Sequence, residues 1–215
     1  MTRVAPIERD RLPALQAVLE ASEQAMGFVP NSMLTMAHMP QLTMAFSMFA
    51  GVVFGANLKD MMALYAEQVP ADEHIADNLP PQHIQLIAYA VSVSAGCRYC
   101  QAHTSHNGHR FGLDEEQLHN VMTYETAACY SAAERALIGV ALAAGEVPNG
   151  ADDAHFSALA EHFTERQIVQ IVGVIGLFGF LNRWNDTMAT QLEDTPIQFA
   201  QAHLAQGGWQ IGKHG

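Results

Sequence analysis

The chain has 215 residues, of which 49% are apolar and only 15% charged, and its formal net charge is −12. That length and composition suit a globular chain with a substantial core rather than a disordered one. The negative balance argues against a nucleic-acid partner, because phosphate binding needs clustered Lys and Arg.

The opening residues, Met-Thr-Arg-Val-Ala-Pro-Ile-Glu-Arg-Asp, lack the apolar stretch of a signal peptide. The longest uninterrupted apolar run, Ile171 to Leu181, is too short to span a bilayer. Both features point to a cytoplasmic protein with no membrane partner. Apolar periodicity is helical nearly everywhere and no stretch alternates between hairpin signals, so the expected fold class is all-α. A first helix is expected after Pro13, ending in the turn Gly27-Phe28-Val29-Pro30-Asn31. A Met-rich helical segment follows over roughly Ser32 to Ala56. Eight of the eleven methionines lie between Met26 and Met62. Such residues fill cores and subunit interfaces, or line an adaptable substrate pocket. Residues 57–80 read as an acidic connector.

Pro80-Pro81 opens a helix through about Ser94, and another runs from about Cys97 to Phe111. Ser131-Ala-Ala-Glu134 is a capping box opening a helix that ends near Gly145. A further helix lies between about Asp152 and His162. Thr164-Glu165-Arg166 starts a long helix reaching about Met188, apolar on nearly every side and expected to be central and buried. Its Gly173, Gly176 and Gly179 form a stripe expected to admit a second helix. Shifting the sequence by 85 residues lays Gln82–Val91 on Gln167–Gly176, Cys97 on Asn182 and Cys100 on Asn185. The organisation expected is one all-α domain over residues 1–215: N-terminal helices over 1–56, a C-x-x-C-bearing repeat over 57–130 and a second, thiol-free repeat over 131–215.

The chemistry concentrates in Gly96-Cys97-Arg98-Tyr99-Cys100-Gln101-Ala102-His103. Two thiols three apart at a helix start can form a reversible disulfide, and a helix N-terminus lowers a thiol's pKa. Cys97, Cys100, His103 and His106 are good zinc ligands by type. Their spacing of three turns each side chain about 60° backwards around the helix, so they spiral and cannot converge on one ion. No second C-x-x-C is present, and Cys129 stands alone with a buried apolar role as its default. His103 lies within reach of the Cys100 thiol as a base, whereas His106 and His109 turn toward the surface. Tyr99 can orient a peroxide oxygen or simply pack. By position alone Cys97, nearer the helix N-terminus, is the more acidic thiol.

The segment Gln85-Leu-Ile-Ala-Tyr-Ala-Val-Ser-Val-Ser-Ala-Gly-Cys97-Arg-Tyr-Cys100 resembles the signature of the carboxymuconolactone decarboxylase superfamily, in its alkylhydroperoxidase D-like branch. Gly27-Phe-Val-Pro-Asn31 and Phe178-Gly-Phe-Leu-Asn-Arg-Trp-Asn-Asp186 resemble flanking motifs of peroxidase-related members. The resemblance implies an all-α bundle of paired helical repeats and a homo-oligomer, whether dimer, trimer or hexamer. It also implies a thiol peroxidase without metal or flavin, reduced by a lipoyl-type or other dithiol. In that scheme Cys100 attacks the hydroperoxide and becomes a sulfenic acid, and Cys97 condenses with it to the disulfide. His103 serves as base, with Gln85 and Tyr99 in support. Two departures stand out. The family's relay glutamate is here Gln85, which cannot shuttle a proton by ionising, and its usual histidine position is here Thr104. The alternatives carried by the sequence are a lyase of the decarboxylase branch and a non-catalytic redox-sensing oligomer.

Overall fold

Proline, glycine and capping side chains set most helix boundaries in the structure, a computed structural model that describes residues 3–215. Met1 and Thr2, which begin the segment read for a signal peptide, lie outside the described residues. Among the described residues there are eleven α-helices and no strand, as the periodicity requires. They form two compact units. The first holds the residues up to Asn78 with Glu165–Val169, and the second holds Leu79–Thr164 with Gln170–Gly215.

In the first unit, α1 (Gln16–Met26) follows a 3-10 turn at Pro13–Leu15 and stops at Gly27, whose φ of 82° is left-handed and favours glycine. The Met-rich segment is two helices, α2 (Asn31–Met36) and α3 (Pro40–Val53), rather than one. Pro40 is the reason: it lacks an N–H and drives the preceding Met39 out of the helical region, to φ −123° and ψ 88°. The expected connector contains α4 (Leu58–Tyr65), opened by Asn57, whose side chain accepts the N–H groups of Lys59 and Asp60. The methionines divide between roles. Met33 and Met44 are buried with Leu15, Val18, Leu19 and Tyr65, and Met48 and Met61 pack against them, while Met26 and Met62 are exposed.

In the second unit α5 (Pro81–Ser94) and α6 (Arg98–Arg110) form a hairpin. Its turn uses Gly96 at φ 73°, which lets three residues reverse the chain. α5 buries every residue from Leu86 to Ser92 and packs between α6 and α8 (Ala132–Gly145). The capping box of Ser131 and Glu134 is present. Around this core stand α7 (Glu115–His119), α9 (Asp153–Ala160) and α11 (Asp194–His203), the last lying against α6.

The central buried helix is therefore α5, not the long helix α10 (Glu165–Met188). In its second-unit stretch α10 buries Ile171, Ile175, Asn182 and Asn185 on one side. Val172, Leu177, Phe180, Trp184 and Met188 are exposed on the other. A Cβ added at Gly176 or Gly179 would meet nothing within 4 Å among the described residues, so no second helix packs at those two positions of the stripe. By length and composition alone α10 is apolar enough to cross a membrane. Its buried amides Asn182 and Asn185 mark it instead as a helix of the fold.

Candidate active site

Cys97 is the N-cap residue of α6. Its extended backbone, φ −76° and ψ 106°, turns the sulfur back onto the open end of the helix, where it accepts the Cys100 N–H at 3.5 Å. A thiolate there is stabilised by free helix N–H groups and the positive end of the dipole. The two sulfurs also hydrogen-bond to one another. That bond from the Cys100 thiol, with the N–H groups of Cys100 and Tyr99, lowers the Cys97 pKa to about 7 despite burial. Cys100 moves the other way, because its thiol is the donor in the shared bond and burial penalises its charge. Both residues are enclosed, at 1% and 3% exposure.

The surroundings come from remote parts of the chain. Asn185 on α10 donates from Nδ2 to Cys100 Sγ at 3.6 Å. Asn182, one turn earlier on the same helix, is buried with neither amide atom hydrogen-bonded. The C-terminal segment covers the start of α6: the Trp209 indole N–H donates to the Arg98 carbonyl at 3.2 Å. His214 is buried beneath it, with Nδ1 at 2.8 Å from the Thr190 carbonyl.

The expected supporting residues are placed differently. His103 Nε2 is bound by Glu193 Oε2 at 2.7 Å, and its ring stacks on Tyr99 with centroids 4.5 Å apart. The Tyr99 hydroxyl donates to the other Glu193 oxygen at 3.2 Å. The Tyr99 pKa is raised by burial and then by that carboxylate. Burial pushes the Glu193 carboxyl upward, but its own backbone N–H and the bonds from His103 and Tyr99 outweigh this and hold it below the usual range. Gln85 lies half-buried in the first half of α5; the nine residues to Ser94 place it roughly 13 Å along the axis from the helix end that leads to Cys97. Thr104 is buried and its hydroxyl donates to the Cys100 carbonyl at 2.6 Å, satisfying it locally. His106 and His109 pack on Phe199 of α11, both with centroids 5.4 Å away. Cys129 is half-buried rather than buried, and burial raises its pKa.

Sequence reasoning had a signal for Asn182 and Asn185, the partners of the two cysteines at the 85-residue offset. It had none for Glu193, Trp209 or His214, which are joined to α6 only by the fold. One donor atom each of Cys97, Asp186 and His214 lie within 4.8 Å of one another, near enough to consider a cation. One oxygen of Asp186, however, is bound by Lys213 Nζ at 2.8 Å, and the Cys97 sulfur is engaged by Cys100. The set reads as hydrogen-bonding groups around a thiol pair.

A thiolate beside a thiol can pass two electrons to an electrophile and close as a disulfide. Residues 58–143, which include both cysteines, match the Carboxymuconolactone decarboxylase family. The chain is similar to the debrominase Bmp8 at 31% identity, covering 94% of this chain and 97% of that one with a TM-score of 0.55. A cysteine-to-alanine form of Bmp8 in complex with 2,3,4-tribromopyrrole matches at 30% identity, covering 96% and 97% with a TM-score of 0.54. An uncharacterized peroxidase-related protein from Ralstonia eutropha with the alkylhydroperoxidase AhpD core shares the fold at 24% identity, covering 93% and 96% with a TM-score of 0.51. No curated protein matches the chain. With these likenesses beside its paired thiols, the chain belongs to the carboxymuconolactone decarboxylase family and has the alkylhydroperoxidase D-like fold.

Proposed function

We propose that the chain is a thiol oxidoreductase that reduces hydroperoxides through a Cys97–Cys100 dithiol/disulfide cycle. The observation that carries this reading is the hydrogen-bonded sulfur pair, one member of which caps a helix and is acidic. The roles follow the geometry rather than the family order. Cys97, as thiolate, attacks the distal peroxide oxygen, giving a sulfenic acid and an alkoxide that is protonated to the alcohol. Cys100 then attacks the Cys97 sulfur, forming the disulfide and releasing water. An external dithiol, of lipoyl type, returns the pair to the reduced state and is itself oxidised.

The likeness to a debrominase favours a second substrate class, halogenated aromatics. The same two thiols serve it. The Cys97 sulfur takes bromine from carbon, the ring carbon is protonated, and Cys100 displaces bromide as the disulfide closes. We further infer a homo-oligomer, because Val172, Leu177, Trp184 and Met188 on the outer side of α10 are apolar and exposed.

The test is turnover of cumene hydroperoxide and of a bromopyrrole with dihydrolipoamide as reductant. Wild type should turn over at least one substrate, and Cys97→Ser and Cys100→Ser should lose that activity. Disulfide formation without turnover would favour a redox sensor, and equal rates in wild type and Cys97→Ser would remove the thiol reading.

A further inference from the structure

His214 lies on the 3-10 turn Gly212–His214 and is 1% exposed. The turn is pinned: the Leu192 N–H donates to the His214 carbonyl at 2.8 Å, and the ring's Nδ1 lies 2.8 Å from the Thr190 carbonyl oxygen. A carbonyl oxygen only accepts, so Nδ1 carries the proton and Nε2 presents a bare lone pair. That Nε2 is buried and has no hydrogen-bond partner.

The groups facing it come from α10 and from the start of α6. Asp186 on α10 lies 3.7 Å from Nε2 through Oδ1, and its other oxygen is held by Lys213 at 2.8 Å. Cys97, at the start of α6, completes the cluster, with one donor atom of each residue within 4.8 Å of the others. The Tyr99 ring stands 5.9 Å from the imidazole. His103, the base expected from the sequence, spends its Nε2 on Glu193.

We propose that His214 is the catalytic base of the thiol pair, with Asp186 positioned to stabilise the imidazolium. This rests on the dithiol chemistry proposed above. Nε2 takes the proton of Cys97, leaving the thiolate. After sulfur attacks oxygen, the imidazolium returns that proton to the departing alkoxide, giving the alcohol and neutral His214. Nε2 next takes the proton of Cys100 as that sulfur attacks the sulfenic acid, and gives it to the departing hydroxide. The sum is dithiol plus hydroperoxide going to disulfide, alcohol and water. For a bromoarene the imidazolium protonates the ring carbon instead. Such positioned bases contribute roughly a hundredfold or more.

The experiment compares wild type with His214→Asn in the full-length chain. Asparagine keeps an N–H donor where Nδ1 stands, so the bond to Thr190 survives while the Nε2 base is lost; an unchanged melting temperature documents this. The first readout needs no substrate: the rate at which iodoacetamide alkylates Cys97, followed by mass spectrometry across pH. On the acid side of neutral, where the bonds from Cys100 and the helix N–H groups leave most of Cys97 protonated, the variant should react several-fold more slowly. It should then converge with wild type well above pH 7, where Cys97 ionises without a base. A packing defect would not recover in that way. Equal rates on the acid side of neutral, or faster alkylation of the variant, overturn the proposal. The second readout is disulfide formation with cumene hydroperoxide, expected to fall about a hundredfold in the variant at neutral pH. If alkylation depends on His214 but wild type forms no disulfide with either substrate, the oxidoreductase reading falls and the base assignment stands.

Discussion

Asn185 Nδ2 lies 3.6 Å from Cys100 Sγ, and the two residues are 85 positions apart, the same offset that lays Gln82–Val91 on Gln167–Gly176. The amide is therefore aimed at the sulfur that must ionise second. A donor to sulfur stabilises the thiolate over the thiol, so it assists Cys100 once the hydrogen bond to Cys97 has been consumed by oxidation of that partner. Asn185→Ala should slow disulfide closure about fivefold, the equivalent of about 1 kcal/mol for one hydrogen bond. Trapping with dimedone, which reacts with sulfenic acids, should then capture more Cys97 adduct than in wild type. No extra adduct would mean the amide plays no part in closure.

The shared proton sets a pH window. Cys97 is lowered to about 7 while a free thiol lies higher, so the reactive thiolate grows as pH rises through 7. Thiolate absorbance in the ultraviolet should show a step near that pH in wild type, and Cys97→Ser should lose it. Cys100→Ser should leave a step at Cys97, moved by the altered donor. The same shift stabilises the folded chain above the free-thiol value, and that contribution fades as pH falls through 7. A single step well above pH 8 in wild type would contradict the arrangement.

Periodicity was enough for the helical class, and the caps of α1, α5 and α8 stand where Gly27, Pro81 and Ser131 announce them. Local chemistry also pointed to the thiol pair, and helix position to Cys97 as the more acidic thiol, although the family resemblance assigned the attack to Cys100. What escaped depends on distance along the chain. Glu193 reaches His103 across 90 positions, and Trp209 reaches Arg98 across 111. No spacing rule encodes such contacts, because each element would form equally well without them. The burial of α10 was misjudged for a related reason: an apolar circumference says that every side prefers cover, not that this chain supplies it.

Arg166 and Asp72 show the same principle in the first unit. Their charges meet at 2.8 Å with side chains only 10% and 7% exposed. Arg166 also donates to Asn78 Oδ1 at 2.7 Å and to the His38 carbonyl at 3.0 Å. Removing one partner leaves the other charge buried and uncompensated. Arg166→Met should cost about 3–5 kcal/mol by denaturant unfolding, and adding Asp72→Asn should recover part of it. A loss below about 1 kcal/mol would place the pair with surface ion pairs.

The outer side of α10 separates the chain's own packing from that of an assembly. Leu177 and Trp184 are 55% and 54% exposed, and Gly176 has open space where a Cβ would project. Burying a side chain the size of leucine contributes about 1.5–3 kcal/mol, enough over several residues to hold two copies together. Gly176 has open space for a side chain and Leu177 is more than half exposed, so the unfolding of Gly176→Leu and Leu177→Lys under conditions that keep chains separate should stay close to wild type. If a second copy lies on this side, the leucine blocks close approach and the lysine places a charge in an apolar contact. Analytical ultracentrifugation should then show wild type as an oligomer and both variants shifted toward monomer. A monomeric wild type at every concentration, or variants that sediment with it, would leave this side of α10 without the partner inferred for it.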